Sequence, residues 1–253
     1  TRFIPKKVVP TLDGEFKQKI AIVGGGPAGI SCAFYLAEKG YKPTIFEKNE
    51  KLGGMVVYGI PSFVLEKDIV AAEIDILREM GVEFKTGVEV GKDITLNQLR
   101  EDGYEAFYIA IGCQGGRKIN VPGEDADGVM TGVDFLHITT DDENYKLTGD
   151  TVVIGGGNVA IDVSRSAVRC DSANVYQVSL ETRDIMPALP EEIELAESEG
   201  IKFHGGWGPK EILTENGKVT GIVFKKCTQV KNAEGRFDPL YDESDTMTIR
   251  SEE

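Results

Sequence analysis

Two short glycine runs are the residues in this sequence most plainly equipped for chemistry. Gly24-Gly-Gly-Pro-Ala-Gly29 and Gly155-Gly-Gly-Asn-Val-Ala160 each put a small residue at the first, third and sixth places. That spacing suits a dinucleotide. The first glycine allows a tight turn, the second lets the backbone approach a pyrophosphate, and the last lets a helix pack closely on its strand while its N-terminal N–H groups face the phosphates. Gly24, Gly26 and Gly29 take these roles in the first run, and Gly155, Gly157 and Ala160 in the second. An acid is expected about 20 residues further on, where it accepts hydrogen bonds from ribose hydroxyls. Glu47 lies 23 residues after Gly24, and Glu181 lies 26 after Gly155. A carboxylate at Glu181 accepts from a 2′-hydroxyl and repels a 2′-phosphate, so the second run favours NAD over NADP. Arg183, two residues further, argues for the phosphate.

The elements that must position these groups read as strand, glycine turn and helix, repeated after about 130 residues. The first copy is Lys19-Ile-Ala-Ile-Val23, a helix to Glu38 closed by Gly40, and the strand Pro43-Thr-Ile-Phe46. Its counterpart is Thr151-Val-Val-Ile154, a helix to about Arg169, and the strand Asn174–Ser179. Each opens as a βαβ nucleotide fold does. Lys51 to Pro61 is apolar and glycine-rich without a helical or strand period and reads as a loop. Next come a helix from Glu66 to Met80, a strand from Val82 to Thr86, a short helix from Leu96 to Glu101, and a buried strand, Ala106 to Ile111, ending at Gly112. Val121-Pro-Gly123 is a rigid turn leading away from the first domain. Later, Met186-Pro-Ala-Leu-Pro190 precedes a helix from Glu191 to Ser198, Ile201 to His204 is a strand, and Lys210 to Phe224 holds a hairpin turned at Glu215-Asn-Gly217. The expected division is an N-terminal extension over 1–18, a first domain over 19–147 and a second over 148–253.

Composition removes several rival classes. With 253 residues, 41% hydrophobic and 28% charged, the chain is an ordinary globular protein. Its 28 Lys+Arg against 42 Asp+Glu give −14, which argues against a nucleic-acid partner. No apolar run approaches the roughly 20 residues of a membrane span, and no signal-peptide core is present, so a cytoplasmic location is expected. Cys32, Cys113, Cys170 and Cys227 form no C-x-x-C pair, so neither a closely spaced redox disulfide nor a cysteine-ligated metal or cluster is read. Cys113 reads as a packed thiol, and His137 and His204 lack any nucleophile or metal constellation. No catalytic acid, base or nucleophile and no metal site is expected.

Taken together, the first glycine run, Glu47, Leu52-Gly-Gly54-Met-Val-Val-Tyr-Gly-Ile-Pro61, Val121-Pro-Gly-Glu124 and Gly155-Gly-Gly-Asn-Val-Ala-Ile-Asp162 resemble the flavoprotein family of the glutamate synthase small subunit. The same module recurs in dihydropyrimidine dehydrogenase. The resemblance implies an α/β protein of the pyridine nucleotide-disulfide oxidoreductase fold, with two Rossmann-like three-layer domains, the NAD(P) domain inserted in the FAD domain. It implies that Gly24, Gly26, Pro27, Ala28 and Gly29 hold the FAD pyrophosphate, with Glu47 and Lys48 at its ribose, Val90 at its adenine, and Gly54, Met55, Ile60 and Gly112 towards the flavin. Gly155, Gly157, Asn158 and Val159 would meet the second pyrophosphate, and Glu181 and Arg183 its ribose. The implied activity passes a hydride from NADH, less readily NADPH, to FAD and onward to an iron–sulfur domain or subunit.

Three departures from the pattern stand out. Leu180-Glu181 replaces the arginine pair of NADP-using members, Ala110-Ile-Gly112 replaces Ala-Thr-Gly, and relatives continue past the equivalent of Glu253 into a further FAD-domain segment. The last departure leaves two alternatives, a non-catalytic nucleotide-binding or assembly module and an inactive fragment of the enzyme.

Overall fold

The computed structural model describes residues 16–251, so most of the expected N-terminal extension lies outside the described residues. The chain forms two compact units that divide after Gln114.

In the first unit, β1 (Lys19–Val23), α1 (Pro27–Glu38), β2 (Lys42–Glu47), α2 (Met55–Tyr58), α3 (Lys67–Glu79), β3 (Glu83–Thr86), α4 (Leu96–Glu101) and β4 (Tyr104–Ile109) follow in order. The four strands form a parallel sheet in the order β3-β2-β1-β4. Successive side chains of a strand point to opposite faces. Ile22 and Ile45 accordingly meet Ala33, Ala37 and Leu77 of the helices on one face, while Ala21 and Phe46 meet Leu99 and Tyr104 on the other. Burial on both sides explains why β1 reads as a near-continuous apolar run.

Two expectations need correcting here. The segment 51–61 contains one helical turn, α2, closed at Gly59 by an N–H bond to the Met55 carbonyl. It is too short to show a period in sequence. The strand expected to be buried, β4, is an edge strand on which Tyr108 and Ile109 are exposed, as is Ile111 just beyond it. Its apolar composition matched an interior strand, but among the described residues β1 alone pairs with it.

The second unit contains α5 (Gly132–Asp141), β5 (Asp150–Ile154), α6 (Asn158–Arg169), β6 (Asn174–Ser179), a single 3₁₀ turn (Arg183–Ile185), α7 (Pro190–Ser198), β7 (Lys202–Gly205), β8 (Trp207–Glu215), β9 (Lys218–Lys231) and β10 (Phe237–Arg250). A parallel sheet runs β5-β6-β7, and an antiparallel one runs β10-β9-β8. Residues 115–147, grouped in sequence with the first glycine run, pack in this unit. Phe135 and Leu136 of α5 share a core with Ile161 and Ala167 of α6, and the Pro122 carbonyl accepts the Ile212 N–H. Asn216 and Gly217 both take positive φ, 52° and 81°, as a tight two-residue hairpin requires. Neither α5 nor β10 was legible in sequence.

The two glycine turns sit in matching frames. β1 pairs with β2 from Lys19↔Lys42 to Val23↔Phe46, and β5 pairs with β6 from Asp150↔Asn174 to Ile154↔Val178. In both, the first glycine of the turn donates its N–H to the neighbouring strand at 2.8 Å, Gly24 to the Phe46 carbonyl and Gly155 to that of Val178.

Candidate functional site

In the first unit the turn is built by close backbone approach. Gly24 has φ +104°, and a Cβ there would lie 2.3 Å from the Ala110 carbonyl oxygen, so the turn seats directly on the segment leading to Gly112. A Cβ at Gly29 would lie 2.0 Å from the Gly24 oxygen, which is why α1 can start so near the strand. Gly25 donates its N–H to Glu47 Oε2 at 2.7 Å and accepts from Gly53 at 2.8 Å. Glu47 Oε1 takes the Asn49 N–H at 2.9 Å, so this buried carboxylate is oriented from both sides. The second glycine pair lies against the first: a Cβ at Gly54 would be 2.9 Å from Gly26 Cα.

A Cβ at Gly26, by contrast, meets nothing nearer than Gly54 Cα at 3.8 Å, and one at Gly157 meets nothing within 4 Å. Both residues are helix N-caps without a side-chain cap. The N–H groups of Ala28 and Gly29, and of Asn158 and Val159, make no hydrogen bond among the described residues. Bare backbone, room beside it and free N–H groups at the positive end of a helix fit a phosphate at each turn.

Most of the residues expected to line the first site converge on this end of the sheet. Gly29 packs on Gly24 and Gly54 on Gly26, while Glu47 meets Gly25 between them; Pro27 and Ala28 are exposed, and Gly112 lies just past the end of the adjoining strand. Met55 and Ile60 are half-buried and joined by the Ile60 N–H to the Met55 carbonyl. Lys48 is exposed. Val90 puts its side chain into the apolar cluster of Phe46 and Leu99, two residues beyond Val88, whose N–H bonds the Glu47 carbonyl. Cys113, expected to be packed, is exposed, because the chain has already left the sheet. Two supports escaped sequence reasoning. Lys67 Nζ donates to the Val56 and Ile60 carbonyls and so ties down α2, and the Tyr58 hydroxyl accepts the Lys51 N–H. A lysine just after an apolar glycine-rich stretch was the one available signal.

The second turn differs in how its acid arrives. The β6 residue in register with Glu47 is Ser179, and Glu181 stands two residues further on. The chain nevertheless brings Glu181 Oε2 to 3.0 Å from where a Gly156 Cβ would be, as Glu47 Oε2 lies 3.2 Å from that of Gly25. Ser179 Oγ and the Gly206 N–H hold the Glu181 carbonyl in place. The Glu181 carboxylate itself takes no hydrogen bond among the described residues.

Arg183 is not turned towards Glu181. Its guanidinium forms two hydrogen bonds with Glu197 of α7, Nε to Oε1 at 2.7 Å and Nη2 to Oε2 at 2.8 Å. The Arg183 bond in turn holds the Glu197 carboxyl below its ordinary range.

The segment before α7, which gave no signal beyond its two prolines, belongs to the site. Ala188 donates to the Gly156 carbonyl at 3.1 Å, and Leu189 donates to Asn158 Oδ1 at 2.8 Å. α7 is anchored in turn by the buried Arg165, which bonds Glu192 at 2.9 Å and Glu199 at 2.9 and 3.1 Å. Hydrogen bonds from Arg169, and then from Arg165, outweigh burial and pull the Glu199 carboxyl down to about 2.

The model of the family described as pyridine nucleotide-disulphide oxidoreductase matches residues 18–237. The chain is 40% identical over 230 residues to the NADP(+)-dependent formate dehydrogenase subunit beta of Moorella thermoacetica, covering 88% of this chain and 32% of that protein. It is 35% identical over 232 residues to the Glutamate synthase [NADPH] small chain of Escherichia coli K12, covering 87% and 49% respectively. The chain thus spans about a third to a half of these relatives' length. Among solved structures, Mycobacterium tuberculosis FprA in complex with NADPH superposes with a TM-score of 0.76 at 22% identity over 93% of this chain and 69% of that one, which shows a shared fold.

Proposed function

The chain belongs to the pyridine nucleotide-disulphide oxidoreductase family of FAD- and NAD(P)-linked enzymes, and from that membership we propose that its first unit holds FAD and its second a nicotinamide dinucleotide, NAD in preference to NADP. The observation that carries this reading is the pair of matched turns, each with bare glycine backbone, an uncapped helix start and a carboxylate over its middle glycine.

The flavin and nicotinamide supply the hydride and electron chemistry when bound, which no side chain of the protein can. The chain's task is to bind and orient. Ala28 and Gly29 offer N–H groups to one pyrophosphate, and Asn158 and Val159 to the other. Glu47, fixed by Gly25 and Asn49, keeps lone pairs for one ribose, and Glu181 for the second. Lys67 holds the α2 turn, with Gly54, Met55 and Ile60, on the flavin side. No proton-transfer group is required of these residues, in keeping with a site of backbone and carboxylates. Electrons leave to a partner domain or subunit, for which we propose an iron–sulfur group; the relatives' names, as subunits of a formate dehydrogenase and of glutamate synthase, support transfer to a partner.

The test is a titration of the chain with FAD followed by anaerobic NADH. Flavin fluorescence should quench on binding, and the yellow absorption should then fade faster with NADH than with NADPH. A bound flavin that neither nucleotide reduces would refute the transfer, and faster reduction by NADPH would refute the preference.

A further inference from the structure

Arg183 is a cation placed where it could reverse the preference for NAD, since it follows Glu181 by two residues, at most about 7 Å of extended chain. An arginine recognises phosphate through its planar fork, two parallel N–H groups donating to two oxygens. That fork is occupied: Nε and Nη2 both donate to Glu197, at 2.7 and 2.8 Å. Resting on the reading of the second unit as the nicotinamide-nucleotide site, we infer that Glu197 is a specificity-positioning residue, which withholds Arg183 from a 2′-phosphate and leaves Glu181 to meet a 2′-hydroxyl.

The arrangement is not a chance meeting of two free side chains. Glu197 lies in the last turn of α7, and α7 is fixed at both ends. Its start is tied to the glycine turn through Leu189 and Asn158, and Arg165 joins Glu192 in its first turn to Glu199 just past its end. The carboxylate is therefore presented at a set place, and only Arg183 must bend to it. Glu194, one turn earlier on the same helix, adds negative charge on that side. Glu197 and Glu194 thus set two negative charges beside Arg183, an environment unfavourable to a 2′-phosphate. Removing the Glu197 charge would lessen it and free the fork at once.

Both partners are solvent-accessible, Arg183 at 53% and Glu197 at 39%, so the pair is screened and its release has a modest effect. The test compares 2′,5′-ADP with 5′-AMP, which differ only in the 2′-phosphate, by calorimetric titration of the whole chain. Glu197→Gln should tighten 2′,5′-ADP by about threefold to fivefold and leave AMP unchanged. The gain should vanish in Glu197→Gln/Arg183→Ala and shrink as salt is raised. An unchanged ratio in a normally folded Glu197→Gln protein, or a gain that persists without Arg183, would overturn the inference. The underlying preference fails separately if the unaltered chain binds 2′,5′-ADP more tightly than AMP. If Glu181→Gln tightens 2′,5′-ADP while Glu197→Gln does not, the preference stands and the role of Glu197 falls. Binding of neither ligand overturns both.

Discussion

Gln177→Ile is the substitution whose consequence the two matched turns define best. Gln177, on β6 opposite Val153, occupies the place that Ile45 holds opposite Ile22 in the first unit, and Ser164 on α6 occupies that of Ala33 on α1. Where the first unit has an apolar pair, the second has a buried polar chain: Ser164 Oγ donates to Gln177 Oε1 at 2.9 Å, and Gln177 Nε2 donates to the Gly155 carbonyl at 3.0 Å. The sixth residue of the turn supplies the reason. Gly29 lets the Gly24 oxygen lie 2.0 Å from its missing Cβ, whereas Ala160 carries a real methyl, so the Gly155 carbonyl needs another position and a donor there. Gly155 has φ +147° against +104° at Gly24, in keeping with a turned peptide. Isoleucine at 177, 1% exposed, removes that donor. Ser164 can re-bond to a carbonyl one turn back, but the part-buried Gly155 oxygen loses its side-chain donor, and an orphaned carbonyl of that kind costs about 1–3 kcal/mol. Allowing for the apolar burial gained, the second unit should lose about 2 kcal/mol, or roughly 4–8 °C in melting temperature. Trp207, the single tryptophan, packs in this unit, so its fluorescence during urea unfolding reports on it alone. Adding Ser164→Ala should cost less in the Gln177→Ile background than alone, by about 1 kcal/mol. A midpoint unmoved by Gln177→Ile, or strict additivity of the two changes, would refute the account.

Other changes separate binding from folding. Gly26→Ala has room within the protein and ordinary backbone angles, so the unfolding midpoint should hold while FAD retention falls; Gly29→Ala should destabilise the first unit outright. Retention of FAD by Gly26→Ala would show that the pyrophosphate lies elsewhere. Glu181→Arg should raise the rate with NADPH relative to NADH, and an unchanged ratio would place the ribose acid elsewhere. For Glu199 the folded carboxyl sits at about 2, below the ordinary 4.5, so its stabilisation is complete above about 4.5 and is lost as pH falls towards 2. Arg169→Met should move the acid limb of the Trp207 transition to higher pH, and an unmoved limb would show that other carboxylates govern it.

Much of the frame was legible because its signals are local. A strand followed by a glycine turn and a helix needs only neighbouring residues, and α1, α6, β2 and β6 end within a residue or so of where their periodicity placed them. The Asn216-Gly217 hairpin was likewise written in its own two residues. The errors fell where burial depends on distant neighbours. The run Ala106 to Ile111 has an interior composition at a sheet edge, and Phe135 and Leu136 could be assigned a core only once α6 lay beside them.

By itself, then, the sequence determined that two glycine turns exist, which small residues line them and that an acid follows each, since these depend on spacing along the chain. Tertiary structure decided what each charge is free to do. Glu181 comes to the middle glycine from two residues past the expected register, and Arg183 is held by a glutamate fourteen residues away on another helix. A side chain's availability depends on which other side chains the fold brings within hydrogen-bonding distance, and that is a property of packing, not of order along the chain.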